Sequence, residues 1–375
     1  MNQKAFTSVY DVNPLAFIPF FEYIYTVNGT YMRIVFISIL LFISSLGDGL
    51  AGITDITGLS SKIVELNEQI RQEHYGKVSS VVVLNMKGKP IFEQYYGFNS
   101  RNSLNQISSV TKSITSLALG ICIDRGLIPS VDEPVAKYFP EYNRQFSEYP
   151  AKKNITLKHL LNQTTGLKWD EWFFPYNYAS NSLIALLESK ANWIDHFFNL
   201  PVDTLAGIKF NYNSLSSQVI AEVVSRVSGM PFNQFVVENI FKPLSIDQYR
   251  WDEYPNNPFP AWGGISLTTL DMAKIGLLML NNGRYRNMQI VSVSWINNSI
   301  TIQSVYNQST GYGLHWWVEH QTGEPLMYYA AGYGDQYVFV VPEKEIVIAI
   351  NAQNFSDYQW PKPVIDIARA IATSI

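Results

Sequence analysis

Two β-rich stretches, one towards each end of a 375-residue chain, constrain the fold more than any other feature. Residues 78–96 read as two runs, VSSVVVLNM and PIFEQYYGF, around Lys87-Gly88-Lys89, the pattern of a hairpin. Residues 336–341 and 346–351 mirror it around Pro342-Glu343-Lys344-Glu345, and a closing helix is expected over 363–375. Between the two hairpins the periodicity is mostly helical. Residues 216–228 put Val219, Ile220, Val223, Val224 and Val227 on one face and stop at Gly229. Residues 268–281 open on Thr268 with Asp271 three positions on and stop before Gly283. The simplest assembly is an α+β fold: an antiparallel sheet formed by the N- and C-terminal segments, flanked by helices. A mostly helical subdomain is inserted at about 130–260, with a cleft where the two parts meet.

A hydrophobic share of 47% against 15% charged residues excludes a disordered chain, and 14% aromatics can both fill a core and line a cleft. A net charge of −4 gives no reason to expect a nucleic-acid partner. The one cysteine, Cys122, permits no internal disulfide, no cysteine-rich zinc site and no CxxC pair. His74, His159, His196, His315 and His320 form no His-Glu-x-x-His pair, so no metal and no cofactor is expected. His159 reads as a hydrogen-bonded structural residue. No Gly-x-Ser-x-Gly elbow occurs, and Gly332-Tyr333-Gly334 lacks the strand–turn–helix context of a nucleotide loop.

Residues 1–51 read as a leader region ahead of a single domain over 52–375. Within it, residues 32–51 fit a secretory signal peptide: Arg33, a largely apolar run over 34–46, then Gly49-Leu50-Ala51 as a small-x-small site. The run is short for a membrane span. Export to a periplasmic or secreted location is the expectation, with membrane contact only if residues 34–46 persist as an uncleaved anchor.

Ser109-Val110-Thr111-Lys112 is the chain's Ser-x-x-Lys, followed by apolar Ile114, Leu117, Ala118, Ile121 and Cys122 at helical spacing. Ser109 therefore falls at the first turn of a buried helix, with Lys112 one turn along on the same face. A serine hydroxyl becomes a good nucleophile when a base removes its proton, and a lysine amine can do so only when neutral. Burial and the positive end of the helix both favour the neutral amine. Tyr212, just ahead of the valine-rich helix, is either a packed ring with a wet hydroxyl or, set against Ser109 and Lys112, a group that passes protons to a leaving group.

These residues stand in an ordered set of motifs. Ser-Val-Thr-Lys-Ser is followed by Leu160-Leu161-Asn162-Gln163-Thr164-Thr165-Gly166-Leu167, then Phe210-Asn211-Tyr212, then Gly263-Gly264-Ile265-Ser266 leading to Asp271-Met272-Ala273-Lys274. Gly311-Tyr312-Gly313-Leu314-His315-Trp316-Trp317 and Ala330-Ala331-Gly332-Tyr333-Gly334 complete it. Over roughly residues 75–373 the chain resembles the serine β-lactamase-related family of the class C and penicillin-binding type, nearest its esterase and 6-aminohexanoate-dimer hydrolase branch. The resemblance implies a β-lactamase/transpeptidase-like fold, Ser109 as the acylated nucleophile, Lys112 as its base and Tyr212 as the tyrosine of Tyr-x-Asn. It also implies an oxyanion hole from the backbone N–H groups of Ser109 and Tyr333, and a C-terminal strand element at Ala330-Ala331-Gly332.

Two positions depart from the family pattern. Ser214 stands where Tyr-x-Asn has its Asn, and Ala330 replaces a cation that helps to hold the carboxylate of penicillins and D-Ala-D-Ala peptides. A carboxylate buried without its cation is costly. The expectation is therefore an esterase or amidase acting on a small-molecule ester or amide. A β-lactamase or DD-peptidase is the rival within enzymes, and a non-catalytic relative binding peptidoglycan or protein the rival outside them. Trp169, Trp172, Phe173, Phe174 and Tyr176 suggest a loop that walls the cleft. Asp335 either faces a cationic part of the substrate or is a solvent-exposed acid at a strand end.

Overall fold

The computed structural model describes residues 24–27, 30–33, 60–254, 257, 259–319, 326–355 and 361–375. The chain divides into two units, Met1–Ala51 and Gly52–Ile375. In the first, Ile24–Val27 and Thr30–Arg33 pair as an antiparallel hairpin, Ile24 opposite Arg33. The apolar run over 34–46 and the small-x-small site after it lie outside the described residues, as does His320. Among the described residues no helix is long and apolar enough to cross a membrane.

The second unit is built on eight antiparallel strands. In chain order they are β1 (Val78–Asn85), β2 (Pro90–Tyr95), β3 (Ser304–Val305), β4 (Thr310–Tyr312), β5 (Trp317–Glu319), β6 (Met327–Gly332), β7 (Gln336–Val341) and β8 (Ile346–Ala352). Across the sheet the order is β3-β4-β5-β6-β7-β8-β1-β2. The two terminal hairpins meet where β8 pairs β1, with Ile346 opposite Asn85 and Ile350 opposite Val81. The expected sheet is thus the observed one, and β3 to β6 extend it beyond the two hairpins.

The run of valines in β1 follows from burial on both faces rather than one. Successive side chains point to opposite sides of the pleat. Val81 and Val83 join one core with Phe339, Ile348 and Ile350, while Val82 and Leu84 join a second with Val338, Val340 and Val347. The first core is closed by α1 (Ser61–Arg71) through Ile63, Leu66 and Ile70, and by the C-terminal helix Ile365–Ser374 through Ile367 and Ile371. The second is closed by α2 (Val110–Asp124), α3 (Leu215–Ser228) and α4 (Thr269–Leu280). Three layers result, helix on sheet on helix. A small three-stranded sheet, in the order Asn105–Gln106, Ile265–Leu267, Tyr249–Trp251, ties the chain just ahead of α2 to the segment just ahead of α4.

Helix ends match the sequence. Thr268 caps α4 by accepting from the Asp271 N–H at 3.1 Å, and Gly229 ends α3 in the left-handed region at φ 68°. Midway along α4, Gly276 lets the helix lie close to the sheet: a Cβ there would sit 2.6 Å from both Val338 Cγ1 and Val347 Cγ1. Alanine gains about 1 kcal/mol over glycine in helix propensity. Overpacking against two stiff β-branched side chains costs about 1–3 kcal/mol. Gly276→Ala should therefore be a net destabilisation, read as a lower urea midpoint at unchanged m-value; a raised midpoint would contradict the close approach of α4.

Candidate active site

Thirteen consecutive residues of α2, Val110 to Cys122, are buried, so the helix is apolar nearly all round and runs through the core. Its N-terminal approach is held from two sides. Ile107 N–H donates to Ile265 O at 2.9 Å, and Ser108 Oγ donates to Tyr333 O at 3.0 Å. Between these ties Ser108 takes φ 47°, a left-handed conformation costly for a non-glycine residue, which sets the turn presenting Ser109. On the opposite side Gly332 permits the approach of β6, since a Cβ there would lie 2.4 Å from Ile107 O. Ser109 and Tyr333 line one cavity.

One helical turn on, Lys112 is 1% exposed. Its Nζ lies 2.9 Å from Ser109 Oγ and 3.2 Å from Trp262 O, donating to both, and 4.8 Å from the centre of the Tyr212 ring. Burial penalises the ammonium and lowers the Lys112 pKa to about 8, although the charge of Glu171 pulls the other way. With the amine neutral, the contact with Ser109 can reverse, the hydroxyl donating to the nitrogen lone pair.

Tyr212 is 6% exposed, and two tails of chain hold it. Asn211 N–H donates to Gln163 O at 2.7 Å, Asn213 N–H to Gln163 Oε1 at 2.7 Å, and Asn211 Nδ2 to Leu167 O at 3.1 Å. The motif around Gln163 therefore serves to lock the loop carrying Tyr212. Tyr212 lines the same cavity as Ser109, and burial first and the Glu171 charge second push its pKa well above the ordinary value, with Ser109 pulling the other way. It stays a phenol, able to donate. The three residues expected to converge do so.

Above Ser109 opens a cavity of about 380 Å³. Its lining includes Trp172, Tyr176, Tyr212, Tyr306, Trp317, Tyr329, Tyr333 and Tyr337. Trp172 stacks on Tyr212 with centroids 4.6 Å apart and lies parallel to Trp317 within 8°. Among the described residues that line it, none carries a charged side chain.

Four residues expected in the cleft lie elsewhere. Trp169 is buried, its indole N–H bonded to Glu171 rather than facing the cavity. Ser214 is fully buried and bonded to the same carboxylate. Ala330 packs into the core beside α2 and α4, while Ala331, pointing to the other face of β6, reaches the cavity. Asp335, at φ 63° after β6, is half-buried and accepts from Asn354 Nδ2 at 2.7 Å. It is neither a substrate-facing nor a fully solvated acid. Of the aromatic loop, Trp172 and Tyr176 wall the cavity, but Phe173 is 81% exposed. His159 is structural as expected, its Nδ1 accepting from Thr156 N–H in a capping box. The sequence reading missed the Trp262 carbonyl on Lys112, the tie from Ser108 to Tyr333, and Glu171.

A family model described as beta-lactamase matches residues 64–360. Beta-lactamase-like protein 4 of Dictyostelium discoideum is 25% identical over 338 residues, covering 75% of this chain and 58% of that protein. The 6-aminohexanoate-dimer hydrolase of Paenarthrobacter ureafaciens is 22% identical over 256 residues, covering 65% of this chain and 61% of that protein. The chain thus spans about three fifths of the length of these two curated relatives. A solved structure from Bacillus anthracis, assigned as a 6-aminohexanoate-dimer hydrolase, superposes with a TM-score of 0.68 at 18% identity, covering 87% of this chain and 83% of that one. That likeness shows the fold.

The burial of Lys112 has a direct check. In protein carrying 15N at lysine side chains, the resonance assigned by its loss in Lys112→Met should titrate near pH 8 rather than at the ordinary 10.5. A midpoint at 10 or above would contradict a desolvated amine.

Proposed function

The chain belongs to the β-lactamase family, and on that premise we propose that it is a serine hydrolase cleaving an uncharged ester or small amide through an acyl group carried on Ser109. The observation that carries this reading is the 2.9 Å contact between Lys112 Nζ and Ser109 Oγ in a site that favours the neutral amine.

The steps follow from the positions. Lys112 takes the Ser109 proton as Oγ attacks the carbonyl carbon. The oxyanion forms in reach of the backbone N–H groups of Ser109 and Tyr333; a donor of this kind is worth about 3 kcal/mol in such reactions. When the C–O or C–N bond breaks, the leaving group takes a proton from the Tyr212 hydroxyl, which recovers it from Lys112. Water then attacks the acyl carbonyl, with the same amine as base, and frees Ser109. Because Tyr212 stays a phenol, it serves as a donor, and the base is Lys112.

The lining of the cavity supports the substrate class. An anionic substrate would leave water for a pocket whose described walls hold aromatic faces, amide and hydroxyl groups and no cation. Flat or apolar groups instead gain stacking contacts on Trp172 and Trp317, worth about 0.5–1.5 kcal/mol per aromatic pair. The family pattern's cation has no counterpart here, because position 330 is an alanine turned into the core. Penicillins and D-Ala-D-Ala peptides are therefore poor candidates.

Ser109→Ala should lower kcat/KM on p-nitrophenyl esters by on the order of a thousandfold or more. Turnover at the wild-type rate would remove the assignment. With wild-type protein, p-nitrophenyl butyrate should be cleaved at least about tenfold more efficiently than the p-nitrophenyl monoester of succinic acid, which adds one carboxylate. Equal or reversed efficiencies would contradict an uncharged substrate.

A further inference from the structure

Glu171 is 1% exposed, and no step of the proposed chemistry uses it. Its carboxylate meets four donors. Oε2 accepts from Trp169 Nε1 and from Ser214 N–H, both at 2.8 Å. Oε1 accepts from the Tyr176 hydroxyl at 2.8 Å and from Ser214 Oγ at 2.6 Å. Its own carbonyl accepts from Asn181 Nδ2 at 2.6 Å, the residue that caps the helix Ser182–Ser189. A buried carboxylate is costly, and one surrounded by neutral donors alone exists where its charge or its reach has a use.

Its reach is plain. Tyr176 and Trp172 stand on the cavity wall, and Ser214 follows Tyr212 by two residues. One side chain thus joins the aromatic loop to the loop that presents Tyr212. Its charge is directed as well. Glu171 is the acid that acts on Lys112, favouring the ammonium, and on Tyr212, favouring the phenol.

We propose that Glu171 is a positioning residue for Ser109, Lys112 and Tyr212, tying the cavity wall to the Tyr212 loop and supplying the negative charge against which that group exchanges its proton. The inference rests on the reading of Ser109 as nucleophile and Lys112 as base. The other groups facing Lys112 carry no charge at neutral pH. His315, buried and repelled by the Lys112 charge, has its pKa lowered to about 3, Tyr212 is a phenol, and Ser109 and the Trp262 carbonyl are neutral. Around Glu171 itself, Tyr176 and Tyr312 also have raised pKa values and stay protonated.

The partners allow charge to be separated from shape. Trp169 Nε1 and Ser214 N–H on one oxygen can only donate, whereas the Tyr176 and Ser214 hydroxyls on the other can donate or accept. Glu171→Gln can therefore keep all four contacts, its oxygen towards the two N–H groups and its amide nitrogen towards the two hydroxyls. Glu171→Asp keeps the charge and withdraws it by one methylene from every donor.

The experiment measures kcat/KM against pH for an ester that the wild-type protein hydrolyses, alongside the Lys112 titration. Removing the negative charge makes the ammonium less favourable, so in Glu171→Gln the acid limb and the Lys112 midpoint should both move to lower pH, by roughly half a unit or more. In Glu171→Asp the limb should stay in place while kcat falls at least about tenfold, because the tie is broken. A Gln variant whose limb and midpoint superimpose on wild type overturns the electrostatic role, and an Asp variant with wild-type kcat overturns the positioning role. Either result leaves the hydrolase reading standing. That reading fails separately, if the wild-type protein cleaves no ester or if Ser109→Ala cleaves it equally well. Should Glu171→Gln not fold, the Asp variant still decides the positioning role.

Discussion

The placement of one lysine amine out of water, beside a serine oxygen, is the constraint on which the rest of this site depends. An ammonium is among the most expensive groups to bury, and the contacts of the Lys112 amine are a hydroxyl, a carbonyl and a tyrosine ring, none of them a carboxylate. The protein keeps it there by running α2 through the core and anchoring both ends of the approach. The small sheet fixes Ile107, and Ser108 reaches across to β6. The strained backbone at Ser108 persists because these contacts leave it no alternative. A relaxed turn would move Ser109 away from its base, and the burial of Lys112 would then serve nothing.

The cavity adds a second constraint. Eight of its thirteen lining residues are aromatic, supplied by the aromatic loop, the Tyr212 loop, the β3–β4 and β6–β7 connections and strands β5 to β7. Charged groups lie behind them: Lys112 against Ser109, Glu171 bonded to Tyr176, and Asp335 bonded to Asn354. In that arrangement the described walls of the cavity are neutral, while the charges that bias Lys112 and Tyr212 sit behind them.

Much of this was legible in the sequence, for identifiable reasons. The terminal hairpins are long enough for strand periodicity and their turns are marked, so β1, β2, β7 and β8 could be read directly. Ser109, Lys112 and Tyr212 are rare residue types for their settings and stand in ordered motifs. Strands β3 to β5 have two or three residues each, too few for any period to show. Ala330 and Ala331 differ only in which side of the pleat they face, and one residue of register decides which meets substrate. Trp169 and Trp172 look alike in a loop, yet one is pinned inward by its indole N–H. Glu171 was hidden because a loop acid is usually solvated, and its partners sit 2, 5 and 43 residues away. The departure from the motif at Ser214 gives no hint that this residue binds a buried carboxylate.

The central claim is that an uncharged Lys112 takes the proton of Ser109. Its most direct measurement is the rate of covalent labelling of Ser109 by a small neutral fluorophosphonate, followed by intact mass at a series of pH values. The account predicts a rate that climbs about tenfold per pH unit below 7, levels near pH 8, and collapses in Lys112→Met. A rate that is flat from pH 6 to 9, or unaffected by loss of the amine, would contradict it.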